Sequence, residues 1–183
     1  MRRSRRRDRA DRRLTGMHAV EHDLSTEDLH PIDLVETLAH RRDWEFDRVD
    51  EDQIAMAVEG SWRTYTLSLA WSGHDDMLKL VCTFDMNPPK RRTNELLRAL
   101  DKANDQMWGG AFTLWPEHKL MVYRYGLVLA GGGAATAGQV ETMVRTAAEA
   151  CERFYPAFQL VCWGGAKAED ALEIAMTGAY GRA

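Results

Sequence analysis

The sequence predicts an α+β domain: an antiparallel sheet with helices packed on one face, in the order α-β-β-β-α-β-β-α. Three observations lead there. Period-two stretches follow one another across short polar turns, as antiparallel strands do. Stretches with apolar residues every three or four positions stand between and after them. The strict strand–helix alternation of a doubly wound nucleotide-binding fold is absent. At 183 residues, 45% hydrophobic and 28% charged, the chain has the composition of one globular domain.

The elements follow in order. Ser25-Thr26-Glu27-Asp28 resembles a capping sequence, Pro31 suits a first helical turn, and Leu34, Val35, Leu38 and Ala39 share one face of a helix ending near Arg42. Trp44 to Val49 and Ile54 to Glu59 read as short strands around the acidic turn Asp50-Glu51-Asp52. In WRTYTLSLAW, Tyr65, Leu67, Leu69 and Trp71 point one way, while Trp62, Thr64, Thr66, Ser68 and Ala70 point the other. The turn Ser72-Gly73-His74-Asp75-Asp76 leads into MLKLVCTF, a further strand with one buried face, so that three or four strands precede the next helix. Asn87 as cap and Pro88 at the first position predict the start of that helix, Leu96, Leu100, Ala103 and Met107 its buried stripe, and Gly109-Gly110 its end. A second hairpin turns at Pro116-Glu117-His118-Lys119, with Met121, Tyr123, Tyr125, Leu127 and Leu129 on one face. Val140, Met143, Val144, Ala147, Cys151 and Phe154 then trace a long helix that Pro156 should kink or break. A short helix from Lys167 to Thr177 ends the pattern.

Charge is uneven. The first thirteen residues hold eight Arg and two Asp, a net of +6, and the rest, with 16 basic against 26 acidic residues, carries −10. Residues 1–24 are expected to be a disordered arginine-rich tail, with Met17 as an alternative start, and residues 25–183 one domain. The tail could draw the chain to nucleic acid, yet it brings no residues for reading base edges, so nucleic acid is not the expected partner. No apolar run is long enough to span a membrane and no signal-peptide core follows the arginines, which points to the cytoplasm. Three cysteines without a C-x-x-C pair suggest reduced thiols rather than disulfides or zinc.

Catalytic motifs are wanting. In LAGGGAATAGQV, Gly133 and Gly138 have Walker spacing, but Gln139 stands where the lysine belongs and Val140 where the hydroxyl belongs. Thr136 and Gln139 instead make a capping box, so the segment reads as a strand exit and helix start. No G-x-S-x-G surrounds Ser61, Ser68 or Ser72. Cys82 and Cys151 fall on apolar faces, and Cys162 is the most nearly exposed thiol. His18 and His22 stand at metal-ligand spacing but lack a third ligand; the other histidines are expected to be solvated. No catalytic, cofactor or metal residue is therefore assigned. Trp62, Trp115 and Trp163 are the candidate protein-interaction residues, because the first two suggest a second sheet face that is partly apolar. The alternative is that the terminal helix near Trp163 folds back over that face.

Taken in order, HPIDLVETLAHRRDWEFDR, IAMAVEGSWRTYTLSLAW, LVCTFDM, ANDQMWGGAFTLW, YGLVLAGG and CERFYPAFQLVCWGG resemble the YbjN-like family, often labelled bacterial sensory transduction regulators. The resemblance spans about His30 to Met176; the arginine tail lies outside it. It implies a fold similar to type III secretion chaperones and a non-enzymatic, protein-binding regulatory or chaperone-like role, with a homodimer expected. It brings no catalytic residues. Two other readings stand beside it: a small-molecule binder or enzyme with a pocket near the glycine turn and Tyr123 or Tyr125, and nucleic-acid association through the tail.

Overall fold

The computed structural model describes residues 29–180. The arginine tail, the Ser25–Asp28 cap and the His18/His22 pair lie outside the described residues. The element order is α1 (Pro31–Arg42), β1 (Glu45–Asp50), β2 (Gln53–Glu59), β3 (Thr64–Ser72), β4 (Met77–Asp85), α2 (Thr93–Asp105), β5 (Ala111–Trp115), β6 (Leu120–Val128), α3 (Ala137–Cys162) and α4 (Ala168–Tyr180). The six strands form one sheet in the order β1-β2-β3-β4-β6-β5, every neighbouring pair antiparallel. The fold is thus the expected α+β arrangement, with four strands ahead of α2 and two helices at the end.

Register explains why one face is covered. Phe46, Met56, Leu67, Cys82, Tyr123 and Phe112 lie side by side across all six strands. Every one is apolar or aromatic, and all but Phe46 are buried. Helices α1, α2, α3 and α4 contribute their buried residues to the same core. Since β4 and β5 both run antiparallel to β6, α2 is the crossover that carries the chain past β6 to the sheet edge, across the helical face.

Local sequence accounts for most boundaries. The His30 side chain accepts from Ile32 N–H at 3.3 Å to cap α1, and its Nε2 lies 3.2 Å from Asp52, so this histidine is engaged rather than solvated. The glycine turn before α3 holds Gly131 and Gly132 at φ of +80° and +79°, where a side chain would be strained. Thr136 then forms the reciprocal capping box with Gln139.

Three further expectations need correction. Asn87-Pro88-Pro89 stays extended, and α2 starts at Thr93 after a single 3-10 turn, Lys90–Arg92; it ends at Asp105, ahead of the glycines. Here the residue preceding each proline is held out of the helical region. Helix α3 runs unbroken for 26 residues through Pro156. Phe154, Ala157, Phe158 and Val161 around it are buried, and that packing outweighs one lost backbone hydrogen bond. Cys162 is only 2% exposed, with its Sγ 3.5 Å from Met86 Sδ, because the last turn of α3 also lies on the core.

Candidate interaction surface

The opposite face of the sheet, uncovered by any of the described helices, carries a different row. Asp47, Ala55, Ser68, Val81, Arg124 and Ala111 are register neighbours from β1 through β5. The rows on either side read Glu45-Ala57-Thr66-Thr83-Val122-Thr113 and Gln53-Ala70-Lys79-Gly126. Small, weakly polar side chains fill the middle. Carboxylates sit on the β1 edge, and Lys79 and Arg124 stand on β4 and β6. Val122 is buried here, but Ala55, Ser68, Ala70, Val81 and Thr83 are only partly so. A sheet face with small side chains at its centre leaves room for another protein to approach the backbone closely.

Lys79 is held by Asp75, 2.5 Å away across the β3–β4 turn, and that contact keeps the Asp75 carboxyl below its ordinary range. Among the described residues, Glu45, Asp47 and Arg124 make no ion pair.

The tryptophans are placed separately. Trp62 lies in the bend between β2 and β3 rather than on a strand, and is 52% exposed. Trp115 ends β5 on the uncovered face, with its ring centroid 5.9 Å from that of His118. Trp163 is the C-cap residue of α3, also half exposed. No aromatic contact joins these three among the described residues. Helix α4 packs on α3 and α2, in the helical layer. Sequence reasoning missed Trp108, which is fully exposed between α2 and β5; the signal was its place in MWGG, after the apolar stripe has ended.

Trp62 is presented by a built turn. The Glu152 carboxylate of α3 accepts hydrogen bonds from Ser61 N–H at 2.8 Å, Trp62 N–H at 3.4 Å and the Tyr65 hydroxyl at 2.8 Å. Burial, then this carboxylate, pushes the Tyr65 phenol far above its ordinary value. A side chain at Gly60 would fall 2.1 Å from Glu152 Oε1, so glycine is needed there for the approach. Arg63 closes the turn by lying over the Phe84 and Tyr155 rings, 5.8 Å from each centroid. Seven residues of the cluster CERFYPAFQ are thereby explained: Cys151, Phe154, Ala157 and Phe158 face the core, Glu152 and Tyr155 hold the turn, and Gln159 donates to Tyr155.

The other candidate chemistry is spent on structure. A shallow groove of about 380 Å³ does lie beside the glycine turn, lined by Tyr125, Leu127, Thr136 and Gln139, but the last two are the capping-box pair. Tyr123 is buried and donates to the Gly109 carbonyl. Cys82 and Cys151 place their sulfurs 3.5 Å apart inside the core; the contact with Cys82 and burial push the Cys151 thiol up, away from a reactive thiolate. Burial likewise raises Cys162 to about 11. No group of three or more metal-ligating side chains occurs among the described residues, and none of their helices is long and apolar enough to cross a membrane.

Two comparisons bear on this chain. Residues 31–160 match the family model of YbjN, described as "Putative bacterial sensory transduction regulator". The fold is similar to the crystal structure of "YbjN, a putative transcription regulator from E. coli", with a TM-score of 0.50 and 11% identity over 80% of this chain and 93% of that one. No curated protein matches.

Proposed function

We propose, from the premise that this chain belongs to the YbjN family, that it is a non-enzymatic cytoplasmic regulator which acts by binding protein through the uncovered face of its sheet. The observation that carries this reading is the contrast between the two faces. One is a continuous apolar row under α1, α2 and α3, while the other has small residues at its centre, Lys79 and Arg124 on β4 and β6, and carboxylates on the β1 edge. The described residues share a single core, which supports one domain over residues 25–183. Against an enzyme stand the buried thiols and the glycine turn whose polar groups cap a helix. Trp115 is proposed as an accessory contact on that face, and Trp62 and Trp163, exposed in the β2–β3 bend and at the end of α3, as contacts separate from it.

The test is affinity purification from the native cell with mass spectrometry, comparing the natural chain with Val81→Arg. The variant should fold, since Val81 lies outside the core, and should lose the protein partners. Identical protein sets from both would overturn the reading. So would a metabolite that raised the melting temperature in proportion to its concentration, because that would favour the groove at Tyr125.

A further inference from the structure

We infer that the uncovered face is closed by a second copy of this chain, stacked sheet to sheet about a two-fold axis that runs along the strands between β3 and β4. The inference rests on the reading of that face as a protein-binding surface, and it names the occupant. Three features support it: residue size, charge and the area of the face.

An axis along the strands reverses strand order in the facing sheet. β3 then meets β4 of the partner, β2 meets β6 and β1 meets β5. Within the shared row, Ser68 faces the partner subunit's Val81 and Ala55 faces the partner subunit's Arg124. In the next row, Ala70 faces the partner subunit's Lys79 and Gln53 faces the partner subunit's Gly126. In these two rows each larger side chain is set against a smaller one, as interdigitating sheets about 10 Å apart require.

Charge selects this axis over the alternative. Arg124, standing over the partner subunit's Ala55, is next to the partner subunit's Asp47, one strand over in the same row, and diagonal to Glu45. The two-fold repeats the contact, so each interface gains two such pairs. A two-fold axis perpendicular to the strands would instead lay each strand on its own copy. It would bring the acidic β1 edges together and Arg124 against Arg124, which like-charge repulsion opposes.

The face is also large enough. Six strands about 4.8 Å apart and roughly seven residues long give a plan of about 29 by 23 Å, or roughly 650 Å². Side-chain relief brings that close to the ~800 Å² per partner of a stable interface.

The experiment is light scattering of the full chain across concentration for the natural protein, Arg124→Glu, Asp47→Arg and the double variant, with circular dichroism to check folding. The natural chain should show twice its 20.8 kDa mass. Each single reversal should weaken the dimer about 10- to 100-fold, and the double reversal should restore it to within about threefold. Val81→Arg should give a monomer. Failure of the double variant to recover, with both singles folded, overturns the proposed axis. A monomeric natural chain whose protein capture is still lost on Val81→Arg overturns the second copy and leaves the preceding reading standing. A monomeric chain whose capture is unchanged overturns both.

Discussion

Replacing Glu152 with alanine removes the acceptor that holds the β2–β3 turn against α3. Three donors lose it at once: two turn N–H groups and the Tyr65 hydroxyl. The two turn amides are exposed and recover water, so their loss is small. Tyr65 is fully buried and has no route to solvent without rearrangement. An unsatisfied buried donor costs about 1–3 kcal/mol, and a charge-assisted bond is worth about 1.5–3 kcal/mol. Glu152→Ala should therefore destabilise the domain by about 2–4 kcal/mol, lowering the melting temperature by on the order of 10 °C. Tyr65→Phe alone removes the buried hydroxyl together with one bond and should cost about 1–2 kcal/mol. Since the two side chains touch, their effects should not add: the double-mutant cycle should show about 1–2 kcal/mol of coupling. Urea denaturation of the four proteins measures this. A Glu152→Ala cost below about 0.5 kcal/mol, or zero coupling with Tyr65, would refute the reasoning that this carboxylate anchors the turn.

Other perturbations follow from the same geometry. Gly110 and Gly131 both have φ of +80°, but a Cβ at Gly110 would lie 2.3 Å from the Tyr123 hydroxyl, whereas at Gly131 it meets nothing. Gly131→Ala should cost about 1–2 kcal/mol from backbone strain alone, and Gly110→Ala at least about 2 kcal/mol more; equal urea midpoints would contradict the close approach. The Asn104 side chain accepts from Phe112 N–H at 2.7 Å and donates to its carbonyl at 3.1 Å, standing in for a neighbouring strand at the β5 edge. Asn104→Ala should cost about 1–3 kcal/mol and promote edge-to-edge aggregation visible in light scattering; a soluble variant of unchanged stability would count against that role. Burial raises Cys162 to about 11 and Tyr123 to about 12. Protons retained in the fold but released on unfolding make stability complete below about pH 9 and progressively lost as pH rises toward 11 and 12. Two units for Cys162 correspond to about 3 kcal/mol. The urea midpoint should therefore fall above pH 9, less steeply in Cys162→Ala; a flat profile to pH 11 would contradict it.

Much of this fold could be read from the chain because one sheet face is buried. Tyr65, Leu67, Leu69 and Leu78, Leu80, Cys82, Phe84 alternate cleanly, and the capping box at Thr136 and Gln139 marks the start of α3. Elements went astray where tertiary packing overrides a local rule. Pro156 stays inside a helix because its neighbours are buried, and Cys162 is covered by Met86, 76 residues away. Less of the interaction surface was legible. Trp62 shares the parity of the outward β3 residues yet sits in a bend that Glu152 holds, a contact 90 residues distant in sequence. The row from Asp47 to Arg124 depends on register through four successive strand pairings, and alternation within single strands does not specify register between strands.

The account rests on the uncovered sheet face being the surface that meets protein. A photo-reactive amino acid placed at position 81, in the middle of that face, and another at exposed position 97 on α2 test it directly in the native cell. Cross-linking should yield protein adducts from position 81, with peptides of this chain among them, and none in excess of background from position 97. Adducts from position 97 with none from position 81 would contradict the account.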